Sequence, residues 1–126
     1  MSHVILARRA VGRRIKKLET SHFILGYQAV LNRRLLGLGM SVHTLVQLNS
    51  HRPEDLDAFS QAIERNFPNV LRWRQEMGAW DFLLTFAVRD MEHYDALHRK
   101  LVAMKHVKLT RGHTPQRESL SMPLPI

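Results

Sequence analysis

From residue 40 onward the spacing of apolar positions switches between two periods. Over 40–48, Met40, Val42, Val46 and Leu48 share one face while Ser41, His43 and Gln47 lie mainly on the other, the two-residue period of a strand. Over 53–67 the period lengthens to that of a helix, with Leu56, Phe59, Ile63 and Phe67 as its core stripe. Pro53 suits the first turn, and Glu54, Asp55 and Asp57 complement the positive end of the helix dipole; Pro68-Asn69 stops the helix. A second strand is predicted over 70–77, a hairpin turn at Gly78-Ala79, and a third strand over 80–88. That third strand is apolar on both faces, with Trp80, Phe82, Leu84, Phe86 and Val88 on one and Leu83 and Ala87 on the other. Asp90 is a good N-cap for a helix carrying Met91, Tyr94, Leu97, Leu101 and Met104 on one side. The last strand begins at His106 or Val107 and runs to about His113, before Pro115.

The order β-α-β-β-α-β predicts an α+β fold, a ferredoxin-like sandwich with the first and third strands central. A strand apolar on both faces needs both faces covered, and two helices cover only one. The simplest cover for the other is the same sheet of a second copy, so a dimer is expected.

The first third of the chain is different. Residues 7–19 read as a helix with Val11, Ile15 and Leu18 in a single stripe and Arg13, Arg14, Lys16 and Lys17 around the rest. Two turns of stripe are too few to hold a helix alone, so it must lean on something. Phe23–Leu31 is rich in branched and aromatic residues and reads as a linker strand; Arg33–Gly39 then forms a connector ending in a Gly37-Leu38-Gly39 hinge. The expected organisation is therefore a basic helical piece at 1–22, a linker at 23–39, the sandwich at 40–118 and a loose tail at 119–126.

Charge sharpens this division. Of the formal net charge of +8, nearly all lies in residues 1–34, where eight Arg and Lys face Glu19 alone. A solvated basic terminus is one explanation; a surface that displaces counterions from a polyanion is the other. With 126 residues, 44% of them hydrophobic, the chain supports one real core. No apolar run approaches a membrane span, and Val4-Ile5-Leu6-Ala7 is too short for a signal peptide. The Arg-rich start imitates an organellar transit peptide, but a cytoplasmic protein fits as well. There is no cysteine, hence no disulfide, thiolate metal site or thiol nucleophile.

Chemistry concentrates at Gly78-Ala79-Trp80-Asp81-Phe82-Leu83-Leu84, followed by Asp90-Met91. A carboxylate between a glycine turn and a central strand is poorly explained by folding alone, although Asp81 as a turn residue bonding the backbone near Gly78 competes with Asp81 as a ligand-binding group. Trp80 suits core or interface better than a stacking platform. Met91 and Met104 are core by spacing, and at most line a pocket.

With Val11–Glu19, Ile24–Asn32, Leu36–Gly39, Gly78–Leu84, Asp90-Met91 and Val107 with Thr110, in this order and spacing, the chain resembles the Lrp/AsnC (leucine-responsive) family of transcription regulators over about residues 6–114. The resemblance implies a DNA-binding helix-turn-helix, a ferredoxin-like module that dimerises or assembles further, and an amino-acid effector held between subunits. It places Gly78, Trp80, Asp81, Met91 and Thr110 in the effector pocket, and gives Arg8, Arg9, Arg13, Arg14, Lys16 and Lys17 the character of DNA contacts. A carboxylate beside a glycine turn can hold an α-ammonium while turn N–H groups receive the α-carboxylate.

The departure from the family is at the start, where only the equivalent of the third helix of the helix-turn-helix is present, and recognition helices need the other two to sit rigidly in the major groove. Gly12 in mid-helix costs about 1 kcal/mol relative to Ala. The expectation is thus an inherited DNA-binding activity that is weakened or lost. The alternative is a stand-alone amino-acid-binding and oligomerisation module that does not touch DNA and co-assembles with full-length relatives. An enzyme comes third, by analogy with monooxygenases and decarboxylases of the same fold; no nucleophile motif or phosphate loop is present, and no cofactor is expected. Neither His93/His98 nor His106/His113 has the i, i+4 spacing of a zinc motif, so no metal is expected.

Overall fold

The computed structural model describes residues 2–119, 124 and 125, and divides into two compact units, 1–31 and 32–126. The first contains α1 (Ser2–Thr20). The second contains β1 (Met40–Leu48), α2 (Pro53–Asn66), β2 (Val70–Gln75), β3 (Phe82–Val88), α3 (Met91–Val102) and β4 (Val107–His113). These build one four-stranded antiparallel sheet in the order β2-β3-β1-β4, with β1 and β3 central, as the ferredoxin-like reading requires.

The core lies on one face of this sheet. Phe82, Leu84, Phe86 and Val88 of β3 and Val42, Val46 and Leu48 of β1 are buried there beneath Phe59 and Ile63 of α2 and Tyr94 and Leu101 of α3. Each such large side chain contributes about 1.5–3 kcal/mol through burial. The alternate positions face the other way. Leu45 stands opposite Leu83 and His43 opposite Thr85 in the β1–β3 ladder, and all four are only partly buried. Within the 32–126 unit, α2 and α3 both pack on the first face and not on this one.

Both helices start as their sequences direct. Pro53 occupies the first turn of α2, with Glu54 and Asp55 beside it, although Arg52 at the cap position makes no side-chain cap bond. Asp90 caps α3 by accepting the His93 N–H at 2.8 Å.

Several expectations change. Residues 23–31, read as a linker strand, make no ladder: β propensity alone cannot hold a strand that has no neighbour to bond. The connector after it is a closed turn. The Arg33 guanidinium donates to Leu38 O at 3.1 Å, Ser41 Oγ at 2.8 Å and Met40 O at 3.1 Å, and Gly37 supplies the positive φ of 74°. Arg33 is thereby committed to backbone and hydroxyl acceptors and withdrawn from the basic surface. β3 begins at Phe82, so Trp80 belongs to the preceding loop, partly exposed and outside the core cluster. Met91 is 51% exposed, because the first turn of α3 carries it clear of the packed face. The tail at 119–126 lies largely outside the described residues.

Candidate functional site

The β2–β3 loop turns at Gly78, whose φ of 114° L side chains rarely adopt. Its far end is anchored by Asp81 on three sides. The Asp81 N–H donates to Val46 O at 2.9 Å and its carbonyl accepts from Glu76 N–H at 2.8 Å. Its carboxylate accepts the Leu48 N–H at 2.7 Å, and His51 Nε2 lies 3.0 Å from Oδ1. The Asp81 side chain is 12% exposed and His51 is open to solvent at 65%. Asp81 therefore satisfies a backbone donor at the end of β1, not one near Gly78 as a simple turn residue would. The nearby Gln47 side chain donates to Ala79 O at 3.0 Å, fixing the loop tip to β1.

Met91 and Thr110 come together elsewhere, in a cleft of about 450 Å³ between α3 and β4. Tyr94, Asp95, His98 and His113 also line it. His98 Nε2 lies 2.7 Å from the Thr110 hydroxyl, and the Tyr94 hydroxyl is 2.7 Å from that of the fully buried Thr44. The Tyr94 ring sits edge-on to Phe86 at 5.5 Å and tilted against His98 at 5.6 Å. Burial pushes the Tyr94 hydroxyl above its ordinary pKa; the Thr44 bond opposes this and the Asp95 charge adds to it. Gly112 is required here because a Cβ would stand 2.9 Å from the Tyr94 oxygen.

The five effector residues expected from the sequence thus fall into two groups. Gly78, Trp80 and Asp81 belong to the loop; Met91 and Thr110 belong to the cleft. Thr110 pairs with Val46, whose carbonyl also receives the Asp81 N–H, so the groups flank the same point of β1 from opposite sides. Two strand spacings, roughly 10 Å, separate them. Sequence reading missed Tyr94 as a polar group, and with it His98, Thr44 and His51. The i, i+4 spacing of Tyr94 and His98 on α3 was the available signal, since it puts a ring nitrogen and a phenol on one helix face.

The six cations of α1 (Arg8, Arg9, Arg13, Arg14, Lys16 and Lys17) are all exposed. Arg9, Arg13 and Lys16 line one shallow groove with Gly12, at i, i+4 and i+7. Val11, Ile15 and Leu18, the apolar stripe, remain 52%, 39% and 41% exposed. Among the described residues no group of three or more His, Asp or Glu side chains is arranged to hold a metal ion, and no helix is long and apolar enough to cross a membrane.

The Lrp/AsnC ligand-binding-domain family model matches residues 41–121. The chain belongs to the Lrp/AsnC family. A glutamate uptake regulatory protein of Zymomonas mobilis is 33% identical over 105 residues, covering 83% of this chain and 62% of that protein. The chain spans about three-fifths of the length of the curated relatives it matches. An AsnC family transcriptional regulator from Agrobacterium tumefaciens has a similar structure, with a TM-score of 0.78 at 26% identity over 90% of this chain and 74% of that one. A Neisseria meningitidis transcriptional regulator, in complex with L-methionine, shares the fold with a TM-score of 0.75 at 23% identity, over 92% and 77% of the two chains. The Lrp/AsnC family is regulatory, and its ligand-binding-domain model spans the sandwich and the residues of both clusters described above.

Proposed function

We propose that this chain is the effector-sensing and assembly part of an Lrp/AsnC DNA-binding regulator that answers to an amino acid or a similar small metabolite. The observation that carries this reading is the face of the sheet turned away from α2 and α3. Leu45 and Leu83 sit opposite each other in the two central strands, inside the region matched by the family model, on the face away from α2 and α3. Stacking a second copy on that face removes this apolar surface from water and makes a homodimer, the unit from which higher assemblies grow.

In this reading Asp81 receives the effector's α-ammonium at the loop, and the backbone N–H groups around Gly78 receive its carboxylate. Trp80 flanks it, and Met91 and Thr110 contribute from the cleft. The low exposure of Asp81 and its proximity to a glycine turn support the role; the methionine and glutamate in the names of the two relatives make amino acids the first compounds to screen. On DNA, Arg8, Arg9, Arg13, Arg14, Lys16 and Lys17 contact phosphate or base edges, giving affinity that falls steeply with salt.

The exposed Val11, Ile15 and Leu18 favour a second reading, in which the chain is an amino-acid-binding and oligomerisation module that joins full-length relatives without touching DNA itself. Gel retardation at low and moderate salt separates the two. Retarded DNA that is released when Arg13 and Arg14 become Ala supports the regulator; no retardation at any salt supports the module. Light scattering tests the common core: a folded solitary subunit at micromolar concentration defeats both.

A further inference from the structure

The connector between β1 and α2, residues 49–52, passes beside the Asp81 carboxylate, and its backbone is held on both sides of His51. The Asn49 N–H donates to His106 O at 2.8 Å. The Ser50 hydroxyl donates to Asp55 Oδ2, and Arg52 O accepts the Asp55 and Leu56 N–H groups at 2.9 and 3.0 Å as α2 begins. What these bonds leave free is the His51 ring, which is 65% exposed.

That ring caps a carboxylate that is otherwise enclosed. Asp81 Oδ2 accepts the Leu48 N–H at 2.7 Å, so its inner side is spent on β1. His51 Nε2 stands 3.0 Å from Oδ1 and 3.1 Å from Oδ2, between the two oxygens. A carboxylate only accepts, so Nε2 carries a hydrogen in either charge state of the ring. A nitrogen donor shared by both oxygens is also the arrangement that suits a bound ammonium. With Asp81 at 12% exposure, little of the carboxylate remains for a second cation while the ring is in place.

The neighbouring charges are engaged elsewhere. On the connector Arg52 pairs with Glu54, and on the β2–β3 side Arg74 pairs with Glu76 at 3.2 Å. Asp55 of α2 accepts from Ser50 and lies 3.7 Å from His106; the Ser50 bond first, then the charges of His106, Arg52 and Lys105, hold it below the usual carboxylate range. His51 and Asp81 are thus left to each other. The charge on the ring sets how firmly it holds Asp81, and imidazole is the side chain whose charge changes between about pH 5 and 8.

We propose that His51 is an internal competitor for the effector: protonated, it occupies Asp81 in place of the ligand's α-ammonium, and neutral, it yields. This rests on the reading of Asp81 as the ammonium acceptor, and adds that the response to an amino acid weakens in an acidified medium. The sign follows from charge. Below the imidazole range the ring is a cation, and an ion pair breaks before the ammonium enters. Above it, only a neutral hydrogen bond to a ring mostly in water is given up, and Asp81 gains a full cation. The ligand keeps both its ammonium and its α-carboxylate across the same interval, so the change belongs to the protein.

Calorimetric titration of the full chain with L-methionine, L-leucine and L-glutamate tests it, at about pH 5.5 and about pH 7.5, toward the two ends of the imidazole range. Wild type is expected to bind about three- to fivefold more weakly at the lower pH, the scale of an ion pair with one partner mostly in water. His51→Gln, which keeps an uncharged N–H donor, binds equally at both. His51→Lys, charged throughout, binds weakly at both. A wild-type affinity independent of pH, or the same acid loss in His51→Gln, overturns the competitor and leaves the loop reading standing. Absence of binding in wild type and in both variants at either pH sinks the loop reading, and the competitor with it.

Discussion

Replacing Asp81 separates its structural work from its ligand chemistry. Its carboxylate accepts the Leu48 N–H at 2.7 Å from a side chain that is 12% exposed. A hydrogen bond to a charged acceptor contributes about 1.5–3 kcal/mol net, and a donor left without a partner costs about 1–3 kcal/mol. The His51 contact adds less than about 1 kcal/mol, since the imidazole is mostly in water. Asp81→Ala should therefore lower stability by about 2–3 kcal/mol. Asp81→Asn, whose amide oxygen still accepts from Leu48, should lose about half of that. For a domain of this size each kcal/mol moves the melting temperature by about 4–8 °C, so the alanine variant should melt some 10–20 °C lower by circular dichroism, with a matching fall in urea midpoint. An alanine variant within about 0.5 kcal/mol of wild type refutes the anchoring role. The consequence for function is practical: lost amino-acid binding in Asp81→Ala mixes two effects, whereas lost binding in the folded Asp81→Asn variant reports the missing charge.

Further outcomes are expected. Tyr94→Phe leaves the buried Thr44 hydroxyl without its partner and should cost about 1–3 kcal/mol in urea denaturation, while adding Thr44→Val should recover much of it. Gly112→Ala should destabilise the wild type but much less a Tyr94→Phe background, because the contact at 2.9 Å is with the phenol oxygen; additive effects contradict this packing. Folding keeps the Tyr94 phenol neutral above its ordinary pKa, so the associated stability is intact below about pH 10 and is lost as pH climbs through the raised folded value. Wild type should consequently lose more stability than Tyr94→Phe between pH 9 and about 11. Leu83→Lys, placing a charge on the sheet face turned away from α2 and α3, should convert a dimer to monomers by light scattering without unfolding the chain. Gel retardation that persists unchanged in Arg13→Ala/Arg14→Ala at low salt rules out the α1 face as the DNA contact.

Much of the sandwich was legible from periodicity. The stripes of α2 and α3, the alternation of β1 and the two-sided β3 predict the observed sheet order, because burial follows side-chain direction and direction follows the repeat of the backbone. Asp90 as a cap and Pro53 in a first turn are local contacts, completed within a few residues, and both are present. The segment 23–31 misled because its β propensity is also local, while a strand is a property of a pair. Exposure of Met91 was equally out of reach, since spacing gives the face of a helix but not how far its first turn extends past the sheet.

The chain by itself determined the order of elements, the placement of charge on α1 and the glycine turn before the central strand, each set by residues near one another in sequence. Only the tertiary structure decided that Asp81 binds the end of β1 and that Met91 and Thr110 share a cleft apart from it. It also decided that Asp55 and His106 stand 3.7 Å apart. Those juxtapositions join residues tens of positions apart, and no spacing rule carries them: they arise when packing of helices on the sheet sets one strand end beside another.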